Sequence, residues 1–206
     1  MDTRQRILDE ALALFSEKGY ANVFVGDIAE RVGIRAPSLY KHFRSKQAIF
    51  DAVVGEMNRR FLEQAKALRI RGNDAAADAG IYKSLDEEAL VRLGISLFRY
   101  QLHDGYTRRI RKMLTLEQFR DPSLGKAYSA HYIDGPLSYE GMLLGMMAEQ
   151  GVLQAEDTEI MTLHFYAPFF MLLTVCDREP EREPEALRIL ENHMRQFNKL
   201  YRRKAE

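Results

Sequence analysis

Apolar positions along the chain fall into helical rather than alternating order. Ile7, Leu8, Ala11, Leu14 and Phe15 follow the i, i+4, i+7, i+8 spacing of one face of a 3.6-residue helix, and Gly19 is placed to end it. Two short runs follow, 25–32 and 36–43, divided by Gly33. A long periodic run of Ile49, Phe50, Val53, Met57, Phe61, Ala65 and Leu68 begins after Ser45, so the pattern predicts four helices before residue 71. The stretch 71–80 loses this periodicity and gathers Gly, Asn and Asp, as a connection does. Ser84 and Glu87 have the spacing of a capping box, and Leu90, Leu93, Leu97 and Phe98 supply the buried side of the helix it would open. Asp121-Pro122, Asp157-Thr158 and Glu183-Pro184 mark further helix starts, while Gly135-Pro136 interrupts a segment that otherwise runs to Gln150. With no alternating run of strand length and no internal repeat, the expected architecture is all-α with nine or ten helices.

Composition narrows the class. In 206 residues, 46% hydrophobic and 29% charged with 13 Gly and 6 Pro, there is enough apolar material for a folded core and too little net charge for disorder. Thirty basic residues balance thirty acidic ones, which excludes a uniformly basic coat and leaves only local basic patches. The lone Cys176 rules out an intrachain disulfide, and with neither a cysteine pair nor an H-E-x-x-H pattern no metal or cofactor is expected. The charged start MDTRQR has no apolar segment behind it, and the apolar run Leu163–Cys176 is shorter than the roughly 18 to 20 residues that cross a bilayer. The expectation is a cytoplasmic protein with no membrane partner.

Residues 25–46 read VGDIAERVGIRAPSLYKHFRSK. Val25, Ile28, Ala29 and Val32 share the inner face of a first short helix, and the small Ala29 lets a second helix cross closely over it. Gly33 stands where a tight turn needs φ > 0. Ile34, Leu39 and Phe43 plug the second helix into the same core, which leaves Arg35, Ala36, Pro37, Ser38, Tyr40, Lys41 and His42 on its first turn and outer side. This is the geometry of a helix-turn-helix. Between 31 and 46 the charged residues are Arg31, Arg35, Lys41, Arg44 and Lys46, without a single Asp or Glu, as phosphate binding requires. A cation at Lys46, in the first turn after a Ser45 cap, opposes the helix dipole unless an anion lies nearby, and a DNA phosphate would supply one.

With those residues in view the sequence resembles the TetR family of bacterial transcriptional regulators. The resemblance is specific over about residues 4–57, in Phe15-x-x-x-Gly19-Tyr20, Asp27-Ile28-Ala29, Val32-Gly33 and Ser38-Leu39-Tyr40-x-His42-Phe43-x-Ser45-Lys46. It departs at Val23 and Phe24, where the family usually has Thr or Ser, and at Gly26, often basic. The resemblance implies that the second helix of the motif enters the major groove, with Tyr40 and Lys46 on phosphates and Arg35 to Ser38 near base edges. It also implies a C-terminal helical domain that dimerises and binds a small-molecule inducer, and a repressor rather than an activator.

The expected organisation is therefore a DNA-binding domain over 1–46 and a ligand-sensing and dimerisation domain over 47–206, linked by the long helix that starts at Ser45. DNA contacts are assigned to Arg35, Ala36, Pro37, Ser38, Tyr40, Lys41, His42 and Lys46. The middle of the chain is rich in Met and aromatic residues, which suit an adaptable apolar pocket, so Tyr100, His103, Tyr128, Tyr132, Met142, Met146, His164, Phe165 and Phe169 are candidates to bind an apolar or aromatic inducer. Leu187, Leu190, Met194 and Phe197, at near-heptad spacing, form the expected homodimer seam. The basic run Arg108, Arg109, Arg111 and Lys112 reads as a solvated helix face. No G-x-S-x-G, P-loop or dinucleotide fingerprint occurs, so an enzyme is not expected. The competing reading is a helical ligand-binding or scaffolding protein without DNA binding.

Overall fold

The computed structural model describes residues 2–203, and among them the chain forms eleven α-helices and no strand. They are α1 Thr3–Lys18, α2 Val25–Val32, α3 Ala36–Tyr40, α4 Lys46–Ala67, α5 Ala75–Ser84, α6 Glu87–His103, α7 Gly105–Glu117, α8 Pro122–Ser129, α9 Gly135–Glu149, α10 Thr158–Arg178 and α11 Glu183–Tyr201. Gly19 and Gly33 end α1 and α2 at φ values of +81° and +77°, a region closed to residues with a Cβ unless strain is accepted. Asp104 and Asp157 cap α7 and α10 by accepting backbone N–H bonds from Thr107 and from Glu159 and Ile160.

Expectations about where helices start and stop change at three places along 71–136. The stretch 71–80 is mostly helix, because Asp74 accepts the Ala77 N–H at 3.0 Å and the alanines behind it are strong helix formers. This raises the helix count beyond ten. Ser84 ends α5, its hydroxyl donating to the Ile81 carbonyl, so it opens nothing; Asp86 caps α6 through the Ala89 N–H at 2.7 Å. Gly135-Pro136 does not break the chain's helical path, since a π-helical turn over Ala130–Asp134 carries α8 into α9. Pro136 has no N–H to give the Tyr132 carbonyl four residues earlier, and the Tyr166 hydroxyl takes that place at 2.9 Å. A Cβ on Gly135 would collide with the Ala130 carbonyl oxygen.

Packing separates two compact units: residues up to Phe61 with Asp104–Tyr128, and Leu62–His103 with the chain from Ser129 onward. In the first, Ile7, Leu8, Ala11, Leu12 and Phe15 of α1 meet Ile28, Ala29 and Val32 of α2, Leu39 and Phe43, and Ile49, Phe50 and Val53 of α4 in the interior. α7 packs on α1 and buries Ile110, Met113 and Leu114. The basic run on α7 is not one solvated face. Arg108, Arg109 and Lys112 are exposed, but Arg111 falls on the inner side with Thr107, Ile110 and Leu114 and is buried.

In the second unit α5 packs on α9, α9 on α10, and α10 on α11, which also meets α6. α10 is longer than the apolar run inside it: its 21 residues hold an 18-residue window of mean hydropathy 1.4, long and apolar enough to cross a membrane by length and composition alone. Met161, Thr162, Leu172, Leu173 and Cys176 bury one side of it within this chain. The other side, Ile160, Leu163, Ala167 and Met171, is exposed. On α11 the seam expected from spacing faces inward instead. Leu190 and Phe197 are 1% and 5% exposed in the chain's own core, and Leu187 and Met194 pack beside Leu190. Their heptad-like spacing reflects packing on α6 and α10, so a partner helix would find Arg188, Asn192, Gln196 and Leu200.

Candidate functional site

The first unit positions its outward residues by fixing its inward ones. α3 ends at Tyr40, short of the expected 36–43 run, and the wholly buried Leu39 within it and Phe43 just beyond it, 6% exposed, fix which way the segment faces. Arg35, Pro37, Tyr40, Lys41, His42 and Arg44 are then exposed, and Ala36 and Ser38 half-buried. Pro37 stands in the first turn of α3, where no intrahelical donor is needed. Three of the side chains facing solvent are cationic and one is a phenol 54% exposed, so the surface presents donors and positive charge to an anion.

Two details of this surface differ from what spacing alone supplies. Where a Thr or Ser cap would precede α2, Phe24 stands 68% exposed, and Asp27 closes the helix start by accepting the Phe24 N–H at 2.7 Å. Lys46 is less free than its place in the motif implies. Its Nζ donates to the Tyr20 carbonyl at 2.8 Å and lies 4.3 Å from the Tyr20 ring centroid. Burial lowers its pKa and the Asp121 carboxylate opposes that shift, so the anion that balances a lysine at a helix start is present within the unit. Tyr20 is packed against Phe15 and Phe50, and its hydroxyl donates to Gln47. Burial, then Asp121 and Asp51, push its pKa up to about 12, which keeps the phenol neutral. Ser45 caps α4 through the Ala48 N–H at 3.0 Å.

Of the nine candidate ligand residues, Met146 and Phe165 share an apolar cluster with Phe197, whereas Phe169 lies edge-on to Phe98 in a second cluster. Tyr132 is buried in the π-turn, Tyr100 is half-buried and Met142 is 52% exposed. Exposed His103 meets Glu183 at 2.9 Å, and Tyr128 belongs to the first unit. A groove of about 330 Å³ on α10 and α11 includes only His164 of the nine, beside Leu163, Ala167, Phe197 and Leu200. There the His164 ring and the Tyr201 hydroxyl are hydrogen-bonded at 2.6 Å. Sequence reading passed over Asp78 and Glu140, two acids brought together by α5 and α9, because a lone acid in a helix looks like any solvated residue. Among the described residues no cluster of three or more His, Cys, Asp or Glu could hold a metal.

Comparison with known proteins bears on the first unit most directly. Residues 7–53 match the family model described as bacterial regulatory proteins, tetR family. The uncharacterized HTH-type transcriptional regulator YvkB of Bacillus subtilis is 25% identical over 186 residues, 85% of this chain and 86% of that protein. The biofilm operon icaADBC HTH-type negative transcriptional regulator IcaR of Staphylococcus aureus is 47% identical over 51 residues, only 25% of this chain and 27% of IcaR. Among solved structures SmeT, the repressor of the Stenotrophomonas maltophilia multidrug efflux pump SmeDEF, superposes with a TM-score of 0.67 at 21% identity over 100% of this chain and 93% of SmeT. Its triclosan complex gives 0.71 at 22% identity over 98% and 93%.

Proposed function

Because the chain belongs to the TetR family of bacterial transcriptional regulators, we propose that it is a homodimeric repressor that a small apolar or aromatic inducer releases from a palindromic operator. The observation that carries this reading is the exposed, cationic surface of residues 35–44, made by α3 and the residues flanking it and held in orientation by the buried Leu39 and Phe43. Arg35, Ala36, Pro37, Ser38, Tyr40, Lys41 and His42 are the residues that meet the major groove, and Lys46 anchors the start of α4 near a phosphate with whatever hydrogen-bonding capacity Tyr20 leaves it. DNA reading is the work of residues 1–46, and sensing and dimerisation that of 47–206.

The dimer seam in this reading is the open side of α10 with Leu200 of α11. Ile160, Leu163, Ala167 and Met171 follow one helical stripe, and an apolar stripe of that length on a helix otherwise seated in its own core is what a second copy covers. The triclosan complex of SmeT supports an apolar inducer as the ligand class. A random-oligonucleotide selection with the purified protein tests the reading. The expected product is an inverted repeat whose binding weakens steeply with salt; a site without two-fold symmetry, or salt-independent binding, overturns it.

A further inference from the structure

The second unit contains an acid that its own fold does not use. Asp78 on α5 is fully buried and fully engaged, accepting the Arg71 N–H at 2.7 Å, the Gly72 N–H at 2.8 Å and the Tyr139 hydroxyl. Glu140, the next residue along α9, is in a different position: its Oε2 is closed to solvent and has no hydrogen-bond partner. The residue as a whole keeps some exposure, so it is this one oxygen, near the surface, that is shut away from solvent. The groups that act electrostatically with it are Asp78 and Tyr82 from α5 and Tyr139 beside it on α9. None of these is a cation. Burial first, and Asp78 second, push its pKa up to about 8.

A buried carboxyl oxygen without a partner is destabilising, and an apolar residue of similar shape would fill the same volume at lower free energy. The missing partner has a defined chemistry. The ionised form of Glu140 needs a hydrogen-bond donor, and a positive charge offsets both Glu140 and the neighbouring Asp78, while the partly buried Tyr82 and Tyr139, at the edge of the apolar cluster of Leu143, Leu144 and Met147, suit a hydrophobic body. We propose that the α5–α9 layer is a binding site for an organic cation, whose ammonium nitrogen donates to Glu140 Oε2 and whose aromatic or aliphatic body lies against Tyr82 and Tyr139 at the edge of the apolar cluster. This rests on the inducer reading above only for its biological purpose, and it narrows that inducer from apolar molecules in general to those carrying a cationic nitrogen.

The test uses the full-length protein and two probes of nearly equal shape, phenylbutylamine as its ammonium form and neutral phenylbutanol, titrated by calorimetry at pH 7. The amine is expected to bind at least about tenfold more tightly, as a charge-assisted bond in a desolvated site implies. Its binding should release close to one proton, read from buffers of unlike ionisation heat, because the acid is mostly protonated before it meets the cation. Glu140→Gln should abolish both the preference and the proton release. Glu140→Met should melt no lower than the parent, since it removes an unpaired polar group. Equal binding of the two probes, no binding of either at millimolar concentration, a preference that survives Glu140→Gln, or a marked loss of stability in Glu140→Met each overturns the proposal. Operator binding is measured separately: if it is absent while the amine preference stands, the regulator reading fails and the cation site does not.

Discussion

At Arg35 and Lys46 two cations of one motif have different surroundings, and their substitutions should separate accordingly. Arg35 is exposed at the start of α3, so Arg35→Ala should leave the melting temperature unchanged, cost about 1 to 3 kcal/mol of operator binding and relax preference at one base position. Lys46→Ala removes the bond to the Tyr20 carbonyl and the contact with its ring as well. It should lower the melting temperature and weaken all DNA sequences alike, with a salt slope flatter by about one unit. Thermal melts beside salt titrations decide this; an unchanged melting temperature in Lys46→Ala removes the internal role. The outward set on α3 was legible in the sequence because inward Leu39 and Phe43 fix its rotation. The partners of Lys46 were not, because Tyr20 and Asp121 come from separate segments that only folding brings together. Glu56 carries a pH dependence of definite sign. Hydrogen bonds from Arg59, then Arg60, lower its pKa from the ordinary 4.5 against the opposing effect of burial, so the fold prefers the ionised form. Its contribution is present above that ordinary value and is lost as pH falls through the depressed one. In urea unfolding the stability gap between the parent and Glu56→Gln should therefore close below about pH 4.5, and a gap constant from pH 7 to 3 contradicts the assignment.

Caps and turns decide where elements begin, and this is where pattern reading lost most. Residues 71–80 carry the Gly, Asn and Asp of a loop, yet the Asp is a cap and three alanines follow it, so composition hid a helix that the cap at Asp74 announces. At the next boundary two polar residues competed for one role. Ser84 has the right spacing to Glu87, but its backbone is still helical and its hydroxyl is turned back to Ile81, which leaves the Ala89 N–H to Asp86. Asp86→Ala should destabilise the protein by about 1 kcal/mol, and Ser84→Ala by only a few tenths. Chemical denaturation of the two variants checks this, and the reverse order restores the capping box. Gly135-Pro136 misleads in the other direction, since a pair that usually stops a helix here follows a π-turn through it. A side chain at 135 would strike the Ala130 carbonyl, so Gly135→Ala should cost more than the helix-propensity gain of about 1 kcal/mol returns, giving net destabilisation. A variant more stable than the parent would show that the turn relaxes to ordinary α geometry without penalty.

The whole molecule poses the question of what covers α10. A helix whose most apolar 18 residues have a mean hydropathy of 1.4 buries Met161, Leu172, Leu173 and Cys176 in its own chain and leaves Ile160, Leu163, Ala167 and Met171 open. Spacing in the sequence could show that α10 and α11 are both apolar, but not which sides the chain's own core consumes; that depends on α6 and α9, far away in sequence. The distinction is measurable. Leu163→Asp and Met171→Glu should give folded monomers, because a charge on the seam is desolvated only when two copies meet, whereas Leu190→Asp places the charge in the core and should unfold the protein. Sedimentation velocity beside circular dichroism separates the outcomes, and an intact dimer in both surface variants moves the seam elsewhere. A folded monomer should also lose most operator affinity, since one α3 reaches one half-site. In the proposed reading, regulation follows from linkage between operator binding and inducer binding in the same molecule. For an inducer to weaken the operator about 100-fold it must favour the DNA-incompetent arrangement by roughly 2.7 kcal/mol, and saturating operator must weaken the inducer by that same factor. Calorimetric titration of a candidate inducer with and without an operator duplex reads this directly. A compound whose affinity is the same in both titrations occupies the protein without regulating it, however tightly it binds, because equal affinity for two states shifts neither.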